Sequence, residues 1–172
     1  MDEPLRADAV RREREAAGHR LAGLVYGTLV VLAMVVLGAK TYPDEPGMIA
    51  VFVVVTTILL WLAHVYAHGV GQSVSDGERL SLADLRHIAG RQASIVQAAL
   101  PPVAPLCLGA VGLISAGVAI WAAFGLGLAV LGAQGVRFAR AERLGFIGTV
   151  AAVAVNLAFG LVLVGLKLLL AH

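Results

Sequence analysis

The sequence predicts an all-α integral membrane protein of about five transmembrane helices, with the N-terminus cytoplasmic and the C-terminus outside. Composition is the first ground. Apolar residues make up 59% of the 172-residue chain and charged residues 14%, against about 45–50% and about 25% in soluble domains, and mean hydropathy is +0.88. Segmentation is the second, because the apolar residues fall into runs as long as a bilayer is thick. One soluble core in a chain this short could not absorb them. The third is the lopsided placement of the basic residues between those runs.

Residues 1–20 form an arginine-rich cytoplasmic tail in which Arg6, Arg11, Arg12, Arg14 and Arg20 alternate with Asp8, Glu13 and Glu15. It has neither the short apolar region nor the small-residue cleavage site of a signal peptide, so the first span is expected to stay in the mature protein. Residues 21–172 then form a single transmembrane domain. Span one, about 21–39, reaches about 29 Å at 1.5 Å per residue, close to the hydrocarbon thickness. Pro43, Pro46 and Gly47, with Asp44 and Glu45, turn the chain, and span two follows at about 48–71.

Asp76-Gly77 marks a turn, and Ser81 with Asp84 three residues later makes a capping-box start. A short amphipathic helix is expected at the membrane surface over about 82–93, with Leu82, Leu85, Ile88 and Ala89 at helical spacing. Between Ala93 and Arg137 no residue is charged, a stretch too long for one crossing and suited to two. This puts span three at about 94–114, a turn near Ser115 to Gly117, and span four at about 118–137. Pro101, Pro102 and Pro105 should kink span three or delay its regular part. Span five covers about 144–170.

Positive residues accumulate on the cytoplasmic side of a correctly threaded membrane protein. Five arginines precede span one; Arg79, Arg86 and Arg91 lie between spans two and three; Arg137, Arg140 and Arg143 lie between spans four and five. Only Lys40 and Lys167 fall on the opposite side. Five spans collect eleven basic residues on one face, whereas four would divide the arginine clusters.

The residues able to carry chemistry are few. All eleven acidic residues, from Asp2 to Glu142, lie in the tail or connectors, which speaks against carriers that keep a carboxylate in the membrane. In span two, Thr57, Trp61, His64, His68 and Gln72 share one helical face. His64 and His68 are the pathway candidates there, able to relay protons or, without a third ligand, to offer a weak metal pair; anchoring at the interface or helix-to-helix hydrogen bonding is the alternative. Tyr26 and Thr28 in span one, Gln97 in span three, Gln134 in span four and Asn156 in span five are polar at membrane depth. Each fits a pathway or an interhelical hydrogen bond. Gly23 and Gly27 form a GxxxG pair, and Gly109, Gly112, Gly125, Gly127, Gly132 and Gly135 enrich spans three and four in small residues, which suits packing within a chain and dimerisation equally. Cys107, the only cysteine, is expected to be a buried inert thiol. No metal set, nucleophile constellation or phosphate loop appears, so neither an enzyme nor a cofactor is expected. The basic residues form no aromatic-interleaved stripe, which leaves no place for a nucleic acid.

The five-span layout, and the stretch Ala98-Ala-Leu-Pro-Pro-Val-Ala-Pro105 with Gly132 and the Gly160 to Gly165 end of span five, resembles the vacuolar iron transporter family over Ala98 to Gly165. The resemblance implies that family's helical fold. It does not bring iron transport with it, because the family's first-span aspartate is replaced within Val25-Tyr-Gly-Thr-Leu29 and its glutamate-bearing helices by a connector holding only Asp76, Glu78 and Asp84. A bias to Ala, Val, Leu and Arg is that of a high-GC bacterium and points to the plasma (inner) membrane. The leading expectation is transport, or ion or proton permeation, by a homo-oligomer. The alternative is a non-transporting structural protein whose arginine-rich tail and 82–93 helix bind anionic lipid or a cytoplasmic partner.

Overall fold

A computed structural model describes residues 3–77 and 81–170; Arg79, Glu78 and the terminal His172 lie outside the described residues, as does the side chain of Lys167. Among the described residues every regular element is a helix: α1 Glu3–Thr41, α2 Pro46–Asp76, α3 Leu82–Arg91, α4 Ala93–Gln97, α5 Leu100–Ala110, α6 Ala116–Ala141 and α7 Phe146–Leu170. Five stretches are long and apolar enough to cross a membrane: Ala16–Thr41, Pro46–Ser75, Ala93–Ala110, Ala116–Ala141 and Phe146–Gly165. The protein is thus a polytopic membrane protein.

Residues 3–20 of the arginine-rich tail are helical and run into the first span as one helix, α1, because Ala, Glu and Arg are among the strongest helix formers and outweigh the single Gly18 before the apolar run. Pro46 opens α2 in its first turn, where a missing N–H costs nothing. Gly77 closes it in the left-handed region, φ 67°, its N–H donating to the Ser73 carbonyl. At the head of α3 both halves of the capping box form. The Asp84 amide donates to Ser81 Oγ at 3.2 Å, and Asp84 Oδ2 accepts from Ser81 N at 3.0 Å and from Ser81 Oγ at 2.6 Å.

Those two bonds to the ionised carboxylate hold the Asp84 carboxyl below its ordinary value, the Ser81 hydroxyl contributing most. A depressed folded value means the cap is fully formed above the ordinary carboxylate range and weakens as pH falls through the lower folded value. Amide exchange in the first turn of α3 is therefore expected to accelerate on acidification. Asp84→Asn should already exchange fast at neutral pH and lose the acid dependence.

Span three is delivered in two pieces. Ala98 and Ala99 separate α4 from α5, and Pro101 and Pro102 occupy the first turn of α5 with Pro105 inside it, so the prolines delay the regular helix as expected. The turn after it comes earlier than expected. Gly112 takes φ 77° and Leu113 N–H reaches back to the Leu108 carbonyl, a Schellman closure, and Ser115 caps α6 through Val118 N at 3.4 Å. Gly117 is consequently inside α6. Arg143 makes the matching closure of α6 at φ 53°, with Leu144 N–H on the Ala139 carbonyl.

α1 is the central column, packed against α2, α4, α6 and α7, while α5 bridges α2 and α6. Val31, Leu32, Val35, Ile49, Val53, Leu106, Ile120, Phe124 and Leu131 fill the space between them. Glycines set how closely the helices approach. A Cβ on Gly27 would stand 2.9 Å from both the Ala98 methyl and the Ile95 carbonyl oxygen, and one on Gly23 would collide with Ser94. The GxxxG pair is therefore the seat of α4. Gly135 accepts the backbone of Val153, and Gly160 the side chains of Leu128 and Leu131, so α6 and α7 close in the same way. Cys107 corrects another expectation: it is exposed on the bundle surface. A uniformly apolar run carries no mark of which face turns inward.

Candidate functional site

The polar residues that come together do so at the arginine-rich end, where α1, α2, α3 and α4 meet. A bilayer core is crossed in about 20 helical residues. Counted from Pro46, that length ends near Tyr66, and His68 and Gln72 lie in the helical turns beyond it. Tyr66 is exposed, as suits an interfacial aromatic.

Trp61 Nε1 donates to the Ala89 carbonyl at 3.1 Å, tying α2 to α3. His64 is half-buried and its ring meets that of Tyr26 on α1, centroids 5.4 Å apart. Its Nδ1 lies 3.0 Å from the Leu60 carbonyl, and the Nδ1 of His68 lies 2.9 Å from the His64 carbonyl. A carbonyl only accepts, so in both contacts Nδ1 is the donor. The Nε2 of His68 lies 3.4 Å from the Gln92 amide nitrogen. The two imidazoles are stacked with centroids 6.4 Å apart. Among the described residues no group of three His, Cys, Asp or Glu is placed to hold a metal.

Beside His68 opens a cleft of about 160 Å³ lined by His19, His68, Gln72, Ile88, Arg91 and Gln92. Ile88 forms its apolar floor and is buried, so the inner face of α3 is committed to the bundle, whereas Leu82 at the start of that helix is exposed. Sequence reasoning singled out neither His19 nor Gln92 as site residues. A signal for His19 existed: it precedes Gly23 by four residues and thus continues the glycine face of α1 toward the surface. Gln92 gave none beyond its place between the amphipathic helix and the next span.

The remaining candidates lie elsewhere. Thr57 shares the face of Trp61 and His64 but is buried, its hydroxyl donating to the Val53 carbonyl at 2.7 Å. Thr28 is buried likewise, bonded to Leu24. Such bonds to the preceding turn satisfy the hydroxyl within its own helix. Gln97 is exposed on the bundle surface. Gln134 is 4% exposed, and its Oε1 has no hydrogen-bond partner among the described residues. It lies one residue before Gly135, which packs on Val153, and two turns beyond Gly127, which packs on Leu32. These contacts put Gln134 in the seam of α1, α6 and α7. Asn156 is half-buried on α7, between Val153 and Gly160 on the stripe facing that seam.

No family model, curated protein or solved structure matches this chain.

Proposed function

We propose that this polytopic protein is a membrane-embedded binding protein that engages an anionic partner at its arginine-rich surface, and that no solute crosses through a single chain. The observation that carries this reading is the distribution of polarity. His19, His68, Gln72, Arg91 and Gln92 gather in one cleft at the surface, while the middle of the bundle is closed by fully buried Leu32, Val35, Ile49, Leu106 and Leu131. By the positive-inside rule this surface faces the cytoplasm, in the plasma membrane of a bacterium. Anionic lipids offer juxtamembrane arginines about 1 kcal/mol each, and α1 carries Arg6, Arg11, Arg12 and Arg14 ahead of the span and Arg20 in its first turns.

One observation favours a second reading, permeation through a homo-oligomer. The buried, unpartnered Oε1 of Gln134 lies in the seam that also holds Asn156, and an unsatisfied amide oxygen at membrane depth is costly unless water or another donor reaches it.

The two readings separate in liposomes. Under the binding reading, the reconstituted protein passes protons, potassium and divalent metals no faster than empty vesicles at about pH 5.5 or 7.5, a range that spans histidine titration. Its thermal midpoint should also rise with the fraction of anionic lipid, as for any ligand that binds only the folded state. A selective flux that disappears in His64→Ala or Gln134→Leu, in protein that still folds, would overturn this in favour of permeation.

A further inference from the structure

The geometry points to a phosphate-binding site in the cleft between α1, α2 and the α3–α4 junction, with Arg91 as its principal anchor and the amides of Gln72 and Gln92 as neutral donors. This inference rests on the surface-binding reading and gives it a site and a ligand chemistry.

The lining chooses the charge. Among its described residues the cleft contains one guanidinium, two imidazoles and two primary amides, and no carboxylate. Arg91 is exposed and lines the cleft, so its guanidinium presents donors there. Those N–H groups, paired in one plane, match two oxygens of a tetrahedral anion.

The size chooses the class. Pockets for organic ligands run to about 300 Å³ and above, whereas about 160 Å³ is roughly five water volumes. That space suits a single charged group with part of its hydration shell. The position supplies the anion, since the end of α2 stands where a bilayer displays its phosphates. Lipid headgroup phosphate and free phosphate share this chemistry.

The site is also built rather than incidental. Trp61 fixes α3 to α2 through Ala89, two residues before Arg91. His68, oriented by its bond to the His64 carbonyl, faces Gln92 from the opposite wall. Gly23 and Gly27 seat α4 on α1, which carries His19 to the same opening. Four elements thus hold the cleft in register.

Trp61 gives a reporter. The chain has two tryptophans, so Trp121→Phe leaves Trp61 as the only one. The full-length Trp121→Phe protein is placed in nanodiscs at fixed ionic strength. One arm titrates phosphatidic acid into phosphatidylcholine; the other titrates inorganic phosphate over phosphatidylcholine alone. A saturable change in Trp61 emission is expected, with apparent affinity weakened about tenfold or more by Arg91→Gln. Arg86→Gln, which removes the same charge one turn away from the cleft wall, should weaken it less than about threefold, as a screened surface charge does. The arm that saturates identifies the source of the phosphate. If Arg91→Gln and Arg86→Gln weaken binding equally, the cleft is overturned and general surface binding survives. If neither anionic arm produces a saturable change and anionic lipid does not raise the thermal midpoint, the surface-binding reading fails as well. A melting curve of Arg91→Gln matching wild type excludes misfolding as the cause.

Discussion

Leucine at Gly27 is expected to push α4 off α1 and leave little folded protein. The first atom of the new side chain would already stand 2.9 Å from the Ile95 carbonyl oxygen and 3.1 Å from Ile95 Cα. Backbone cannot rotate aside as a side chain can. Overpacking a well-filled core costs about 1–3 kcal/mol when side chains can yield, and here three further carbons must follow the first, so the cost should reach or exceed the top of that range. The damage would spread, because α4 and α5 form one crossing and the same seat positions His19 against Arg91 and Gln92. Gly125→Leu is the matched comparison. Nothing lies within 4 Å of a Cβ at Gly125, so its leucine enters lipid and should leave stability within about 0.5 kcal/mol, apart from a gain in helix propensity of up to about 1 kcal/mol. Unfolding in mixed micelles of mild detergent and dodecyl sulfate, followed by circular dichroism, ranks the variants. Equal midpoints for the two leucines would mean that α1 and α4 are not packed through Gly27.

Phe124→Ala is the second large effect expected. Phe124 is 1% exposed and the largest fully buried side chain among the described residues. It lies in the cluster with Leu32, Leu106, Ile120 and Leu131, and its ring meets that of Trp121 edge-on at 5.9 Å. In soluble cores this truncation costs about 3–5 kcal/mol, combining lost transfer energy with a cavity. In a bilayer the separated helix rests in lipid, as apolar as the core, so the transfer part largely vanishes and packing remains. The loss should therefore sit near the lower figure, about 3 kcal/mol, in the same micelle titration. Phe124→Leu, which restores much of the volume, should cost under about 1.5 kcal/mol. An alanine variant as stable as the leucine one would show that the bundle collapses to fill the space.

Both variants also bear on function. If surface binding depends on the bundle only as a scaffold, Phe124→Ala should retain phosphate binding wherever it stays folded, because Phe124 is not among the residues that line the cleft. Gly27→Leu should lose binding together with the α1–α4 seat.

Five crossings, their order and the polar connectors were legible in the residues themselves. So were the capping box of Ser81 and Asp84 and the proline-delayed start of α5. These are linear properties: transfer free energy adds along one helix, a cap is completed within four residues, and proline acts on its own turn. The arginine-rich composition of the tail is a linear property too, whereas its helical form over residues 3–20 rests on the strong helix propensity of Ala, Glu and Arg next to a long helical span.

What required the tertiary structure was every question about neighbours. Helical spacing put Thr57, Trp61, His64, His68 and Gln72 on one face, yet only the fold turned Thr57 into its own helix, brought Tyr26 to His64, and set His19, Arg91 and Gln92 around His68. It assigned the GxxxG pair to contact within the chain, placed Cys107 on the outside, and left Gln134 buried with an unpaired oxygen. The physical reason is the solvent. In water, a helix advertises its inner face by being apolar on one side; in lipid both sides are apolar, and the choice of partner passes to shape, to which glycine admits which side chain, and that is decided only when all five helices pack at once.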